Sequence, residues 1–336
     1  MPDTSKNRRA TAADVARAVG VSRTTVGFVL NDTPGQTISA KTRQRVRAEA
    51  ARLGYRPSRA ARALAGGRSG IILFVLPDWP VDFALRRYLE EAAQVLADAG
   101  YSLVTHTRRA ADRARPLWEL LDPEVVCGIR PFASDELASM QDCGITRILP
   151  EPGNPESDAA FALIGTAPES QVRHLHGLGH RRLAFAGSAE PRLAELVALR
   201  ASMAATSAGE LGIAELDRRT VDHRDDSARL AVTSWREAGV TGVVAYNDEI
   251  AAVVAGAAVR AGIRIPEELA VIGSDDTPLA SMFVPSLSSV RLDGAAAGRW
   301  VARLALWHAG AADSAPPTPD LDLVVVPRES TGHDHR

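Results

Sequence analysis

From Gly70 onward the chain alternates short apolar runs with amphipathic stretches, and that alternation leaves few folds open. Ile71-Ile72-Leu73-Phe74-Val75-Leu76 is apolar throughout, as a strand covered on both faces must be. Residues 83–99 then carry apolar side chains at helical spacing. Further strands are expected at Tyr101–His106, Val125–Ile129, Arg147–Leu149, Leu183–Ala186, Gly242–Tyr246 and Leu269–Gly273. Helices are expected near 167–177, 190–208, 225–238, 248–261 and 294–308. Such alternation argues for parallel sheets with helices on both faces. The stretch is about 260 residues long, which suits two lobes better than one.

The first seventy residues have a different texture. They hold 14 Lys+Arg against 4 Asp+Glu, a net of +10, leaving 25 against 37, a net of −12, for the remainder. A basic head on an acidic body points to a polyanionic partner for the head alone. The whole chain is 46% hydrophobic and 24% charged, an ordinary globular composition. No apolar run approaches the roughly 18 residues of a membrane span, and MPDTSKNRR lacks the apolar region of a secretory signal. Cys127 and Cys143 lack CxxC spacing and are too few for a disulfide framework, so reduced thiols in a cytoplasmic protein are expected.

Helix signals crowd the head. Thr11-Ala12-Ala13-Asp14 has capping-box spacing with Asp in place of Glu, Val15, Ala16 and Val19 form a stripe, and Gly20 ends it. In VSRTTVGFVLN, residues 21–31, Ser22 is a good N-cap and Val26, Val29 and Leu30 share one face. Thr24 and Phe28 fall nearly opposite that face, where the helix's own core cannot use them. Gly27 beside Phe28 weakens the helix. A third helix is expected from an N-cap at Ser39 to about Leu53, with Val46, Ala50 and Leu53 inward and Gly54 as its stop. Two short helices joined by a glycine turn make a helix-turn-helix, whose second helix is the one offered to the major groove. Residues 58–65 could form a further short helix, marginal unless docked.

These segments resemble the lactose-repressor (LacI/GalR) family of bacterial transcription regulators over nearly the whole chain. TAADVARAVGVSRTTVGFVLN is similar to the family's headpiece, and TRQRVRAEAARLGYRPSRAARAL to its third helix and hinge. GLGHRRLAFAG, AYNDEIAA and GIRIPEELAVIGSDDTPLASMFVPSLSSV resemble signatures of its body. The resemblance implies an α/β chain: an all-α helix-turn-helix headpiece at 1–57, a hinge helix or linker at 58–69, and a two-lobed periplasmic-binding-protein-like body at 70–330 with parallel sheets. Its N-lobe would hold about 70–166 plus 293–318, and its C-lobe about 167–292 plus 319–330. It implies a homodimeric repressor reading pseudo-palindromic double-stranded operator DNA, with a small-molecule effector, a sugar among the candidate classes, closing the two lobes. No cofactor, metal or membrane is implied.

By the same resemblance Arg23, Thr24 and Phe28 read bases, while Ser22, Thr25, Asn31, Ser39 and Thr42 bond phosphates, which sets register without reading sequence. Arg suits guanine, Thr an edge or a thymine methyl, and Phe28 only an apolar contact such as a thymine methyl. Leu64 matches the hinge leucine that wedges into the minor groove, with Arg59 and Arg62 beside it. Asp78, Arg200, Asn247 and Asp275 match effector-binding positions. Three departures stand out: PDWPVDF replaces the family's PDxxNPFF, the Gly that usually follows the Arg200 position is absent, and Ser274 replaces a Phe. They leave a sugar, a nucleoside, an amino-acid-like molecule or no ligand at all as open alternatives.

His174, His176 and His180 have spacings that metal sites use, yet no acidic or Cys partner lies near them in sequence, and the family has His at 174 and 180 for structural reasons. No GxSxG, HExxH or P-loop pattern occurs, so no enzyme is expected. The competing reading is a cytoplasmic small-molecule-binding protein or enzyme with a parallel α/β body and no operator. The basic head opposes it.

Overall fold

A computed structural model describes residues 10–30, 35–55, 68–109, 114–154, 157, 167–213, 215–319 and 323–332. The chain divides into two compact units, Met1–Gly70 with Leu121–Glu124, and Ile71–Leu120 with Val125–Arg336.

The first unit contains α1 (Ala12–Val19), α2 (Arg23–Leu30) and α3 (Ala40–Arg52). Each start is chemically specified. The Thr11 amide donates to the Asp14 carboxylate at 3.0 Å and the Asp14 amide donates back to Thr11 Oγ1 at 3.4 Å, closing the capping box. The Thr25 amide donates to Ser22 Oγ at 3.0 Å, and the Thr42 amide to Ser39 Oγ at 3.2 Å. Gly20, at φ 75°, ends α1 in the left-handed region, where a β-carbon is costly. Leu53 is the cap of α3 and Gly54 follows at φ 62°. Val15, Val26, Val29 and Val46 lose all exposure where the three stripes meet. Arg45 donates to the Val19 carbonyl at 2.9 Å, satisfying one orphan group at the end of α1.

The second unit contains two four-stranded parallel sheets. In the first the order is β2 (Ser102–Thr107), β1 (Ile71–Leu76), β3 (Val125–Gly128), β4 (Ile148–Leu149). All six β1 residues are buried, as an all-apolar central strand should be. The helices α4 (Phe83–Asp98), α5 (Leu117–Leu121) and α6 (Ser134–Asp142) accompany it. In the second sheet the order is β6 (Asp217–Val221), β5 (Leu183–Ser188), β7 (Gly242–Ala245), β8 (Ala270–Ile272). Its helices are α7 (Ala167–Gly177), α8 (Ala194–Glu210), α9 (Ser227–Glu237) and α10 (Asp248–Arg260), with a short α11 (Pro278–Met282).

The chain then returns. After β9 (Ser289–Arg291), α12 (Gly294–His308) packs its Trp300, Val301 and Ala305 into the core of the first lobe with Ile72 and Phe74. Gly298 permits this, because a β-carbon there would stand 3.0 Å from the Tyr88 carbonyl carbon on α4 and closer still to its oxygen. β10 (Val324–Val326) pairs antiparallel with β9 and carries Val325 back to the second core. The β6 strand has no counterpart in the sequence reading. Asp217-Arg218-Arg219-Thr220 has little apolar content because β6 is a sheet edge in which only Val221 is buried.

Candidate nucleic-acid interface and ligand cavity

On α2 the side chains of Val26 and Val29 are buried, while Arg23 and Thr24 are exposed, Thr24 nearly opposite the buried pair. Phe28 is half-buried, but it is not one of the described side chains packed against the headpiece core. A β-carbon on Gly27 would meet nothing within 4 Å. The starts of α2 and α3 each present a hydroxyl pair: Ser22 Oγ lies 2.8 Å from Thr25 Oγ1, and Ser39 Oγ lies 2.9 Å from Thr42 Oγ1. Hydroxyls and free amides at a helix N-terminus suit phosphate oxygens. Asn31, Arg59, Arg62 and Leu64 lie outside the described residues.

In the second unit a cavity of about 100 Å3 is lined from both lobes. Trp79 and Asp82 come from the segment after β1, Tyr88 from α4 and Trp300 from α12. Arg200 on α8, Tyr246 after β7 and Asp275 after β8 close the other side. The site therefore sits beyond the carboxyl ends of parallel strands, where open α/β sheets bind ligands.

Arg200, only 6% exposed, donates from one terminal nitrogen to the Tyr246 carbonyl at 2.6 Å, and its guanidinium carbon lies 4.5 Å from the centre of the Tyr246 ring. Burial raises the Tyr246 phenol to about 12, with the neighbouring charge of Arg200 opposing and those of Asp82 and Asp275 adding to the rise. Asp275 is held at φ 92°, an uncommon conformation for a residue with a β-carbon. Its amide donates to the Val290 carbonyl at 2.8 Å, and the next amide, of Asp276, donates to Ser289 Oγ at 3.0 Å. Ser274 Oγ donates to the Asp275 carboxylate at 3.2 Å. Burial pushes the Asp275 carboxyl up, Arg200 pulls it down, and Asp82 and Glu249 push it up again.

Of the four effector positions expected from sequence, Arg200 and Asp275 come together on this cavity. Asp78 and Asn247 are not among its lining residues. Asp78 instead faces Arg109 at 3.5 Å and Arg192 at 3.9 Å, and Asn247 caps α10 by accepting from the Ile250 amide at 2.9 Å. Trp79, Asp82, Tyr88, Tyr246 and Trp300 were not anticipated. The departure of PDWPVDF from the family pattern was the available signal for the first two. His174 Nε2 lies 3.0 Å from Thr331 Oγ1 and His180 Nδ1 lies 3.0 Å from Thr241 Oγ1, separate partners for the two rings. The described residues contain no cluster of three metal-type side chains, and none of their helices is long and apolar enough to cross a membrane.

A three-helix head whose second helix turns a polar face outward, on a chain whose α/β body encloses a cavity, defines a DNA-binding transcription regulator with a periplasmic-binding-protein-like body. The profile "Bacterial regulatory proteins, lacI family" matches residues 11–58, and "Periplasmic binding protein-like domain" matches 172–331. The regulator GalS of Salmonella typhimurium is 31% identical over 314 residues, spanning 88% of this chain and 89% of GalS. The chain belongs to the LacI family of bacterial transcription regulators. Its fold is similar to the crystal structure of a Lac repressor dimer bound to operator and an anti-inducer, at TM-score 0.71, 22% identity and coverage of 96% and 99%. A LacI-family protein from Silicibacter pomeroyi gives TM-score 0.77 at 23% identity, with the same coverage.

Proposed function

We propose that this regulator is a cytoplasmic homodimeric repressor whose paired headpieces read a pseudo-palindromic operator, with a small molecule in the body cavity setting operator affinity. The observation that carries the reading is the two-sidedness of α2, with Val26 and Val29 buried and Arg23 and Thr24 exposed. A helix so divided has its core on one side and a free reading face on the other. In this reading residues 1–57 are the headpiece, 58–69 the hinge and 70–330 the effector-binding and dimerisation body. The two lobes divide at about 166–167 and 292–293, with the second return near 318–319. Arg23, Thr24 and Phe28 read bases, Ser22, Thr25, Asn31, Ser39 and Thr42 hold phosphates, and Leu64, Arg59 and Arg62 enter the minor groove.

The Lac repressor relative is a dimer on operator DNA with an anti-inducer bound, which supports carrying the same assembly to this chain. The effector positions are Arg200 and Asp275 on the cavity, with Asp78 and Asn247 acting from beside it. The reading assigns no catalytic step. Gel retardation of duplex DNA from upstream of its own gene, titrated with salt, tests it: several phosphate contacts make log K fall steeply with log salt. A flat response, or no retardation, overturns it.

A further inference from the structure

The body cavity has a polarity that selects a ligand class. Its acceptors are the Asp82 and Asp275 carboxylates, one from each lobe. Its one cationic donor, Arg200, gives a terminal N–H to the Tyr246 carbonyl and lies against the Tyr246 ring, while Trp79, Tyr88, Tyr246 and Trp300 carry neutral donors on aromatic rings. Asn247, a donor and acceptor well suited to sugar hydroxyls, is committed to the start of α10 and does not line the cavity. An anionic ligand would face two carboxylates against one guanidinium. The remaining wall is mainly apolar and aromatic, with Tyr88 and Trp300 packed on the first-lobe core and Trp79 against the second.

Aromatic side chains together with carboxylates are the surroundings in which an ammonium group replaces its lost hydration. Asp82 keeps acceptor capacity for this, because only Oδ1 receives the Leu85 amide, at 2.8 Å. The volume of about 100 Å3 is below the roughly 300 Å3 at which pockets for drug-sized ligands begin, so the ligand body is about one ring in size.

Building on the cavity as the effector site, we infer that the effector is a small organic cation, a protonated amine on an apolar or aromatic body, its charge held between Asp82 and Asp275 and its body against Trp79 and Trp300. Each carboxylate offsets the ammonium from a different lobe, so the cation joins the lobes.

Isothermal titration of the full-length protein with 2-phenylethylamine, the neutral isostere 2-phenylethanol, glucose and adenosine tests the assignment. The amine is expected to bind about tenfold or more tightly than the alcohol. That preference should disappear in Asp275→Asn and shrink in Asp82→Asn. Asn tolerates the left-handed backbone at 275 and still caps a helix at 82, so both variants should fold. Leu196→Trp, which fills the cavity, should abolish binding. Equal or tighter binding of the alcohol, glucose or adenosine, lost in Leu196→Trp, would overturn the cation class while leaving the cavity as the effector site. Amine binding unaffected by Leu196→Trp would overturn both. Failure of all four probes to bind would overturn the cation class, and gel retardation would still report on the operator reading.

Discussion

Gly273 exists as glycine because Asp248 occupies the space a side chain would need. A β-carbon on Gly273 would stand 3.0 Å from the Asp248 α-carbon and closer still to its carboxylate. Asp248 has no exposure, and it accepts the Thr277 amide and the Ser289 hydroxyl, each at 2.6 Å. The carboxylate thereby ties the start of α10 to the turn that carries Asp275. Gly273→Ala should push this buried group off its partners and cost about 2–4 kcal/mol, read as a lower midpoint in chemical denaturation. A loss below about 0.5 kcal/mol would show that the turn relaxes freely.

Burial lifts the Asp248 carboxyl from its ordinary 3.8 to about 7, outweighing the hydrogen bonds that pull it down. Between those two values the native state holds a proton that the unfolded chain has released. Stability from this residue therefore falls as pH rises from about 4 to about 7, by a few kcal/mol in all. Thermal midpoints at pH 5 and pH 8 should differ less in Asp248→Asn than in the wild-type chain. An identical pH dependence in both would contradict the assignment.

Gly27 weakens α2, and among the described residues nothing opposes a side chain there. Gly27→Ala should stabilise the headpiece by about 0.5–1 kcal/mol through helix propensity alone. If the backbone at 27 must approach DNA closely, the same variant loses operator affinity while gaining stability. Thermal melting and gel retardation together separate the two effects.

In the proposed reading Phe28 contacts bases without a hydrogen bond. Phe28→Arg supplies a guanidinium suited to guanine O6 and N7, so preference at one operator position should move from T toward G. Binding-site selection on a randomised duplex measures this, and an unchanged base preference places the side chain outside the readout.

Leu64→Ala should weaken binding to the specific operator more than to random duplex, because only a kinked operator uses an apolar wedge. Equal losses on both would mean that the hinge does not insert.

The amino-acid sequence by itself determined the parts of this protein whose causes are local. Thr11, Ser22 and Ser39 announce helix starts because a cap bonds an amide only three residues away. The apolar runs that became β1, β3 and β7 mark strands buried on both faces, and the motifs of head and body pointed to the family. Tertiary structure alone decided β6, whose polar residues pair with β5 from a sheet edge. It also set Arg200 and Asp275 on the cavity wall, with Asn247 capping a helix and Asp78 facing two arginines. Trp300 shows the reason most plainly. In α12 its spacing is that of an ordinary core residue, and only the return of that helix to the first lobe sets it on the same cavity as Trp79. A cavity wall is a relation between distant segments, fixed by packing that no local pattern records.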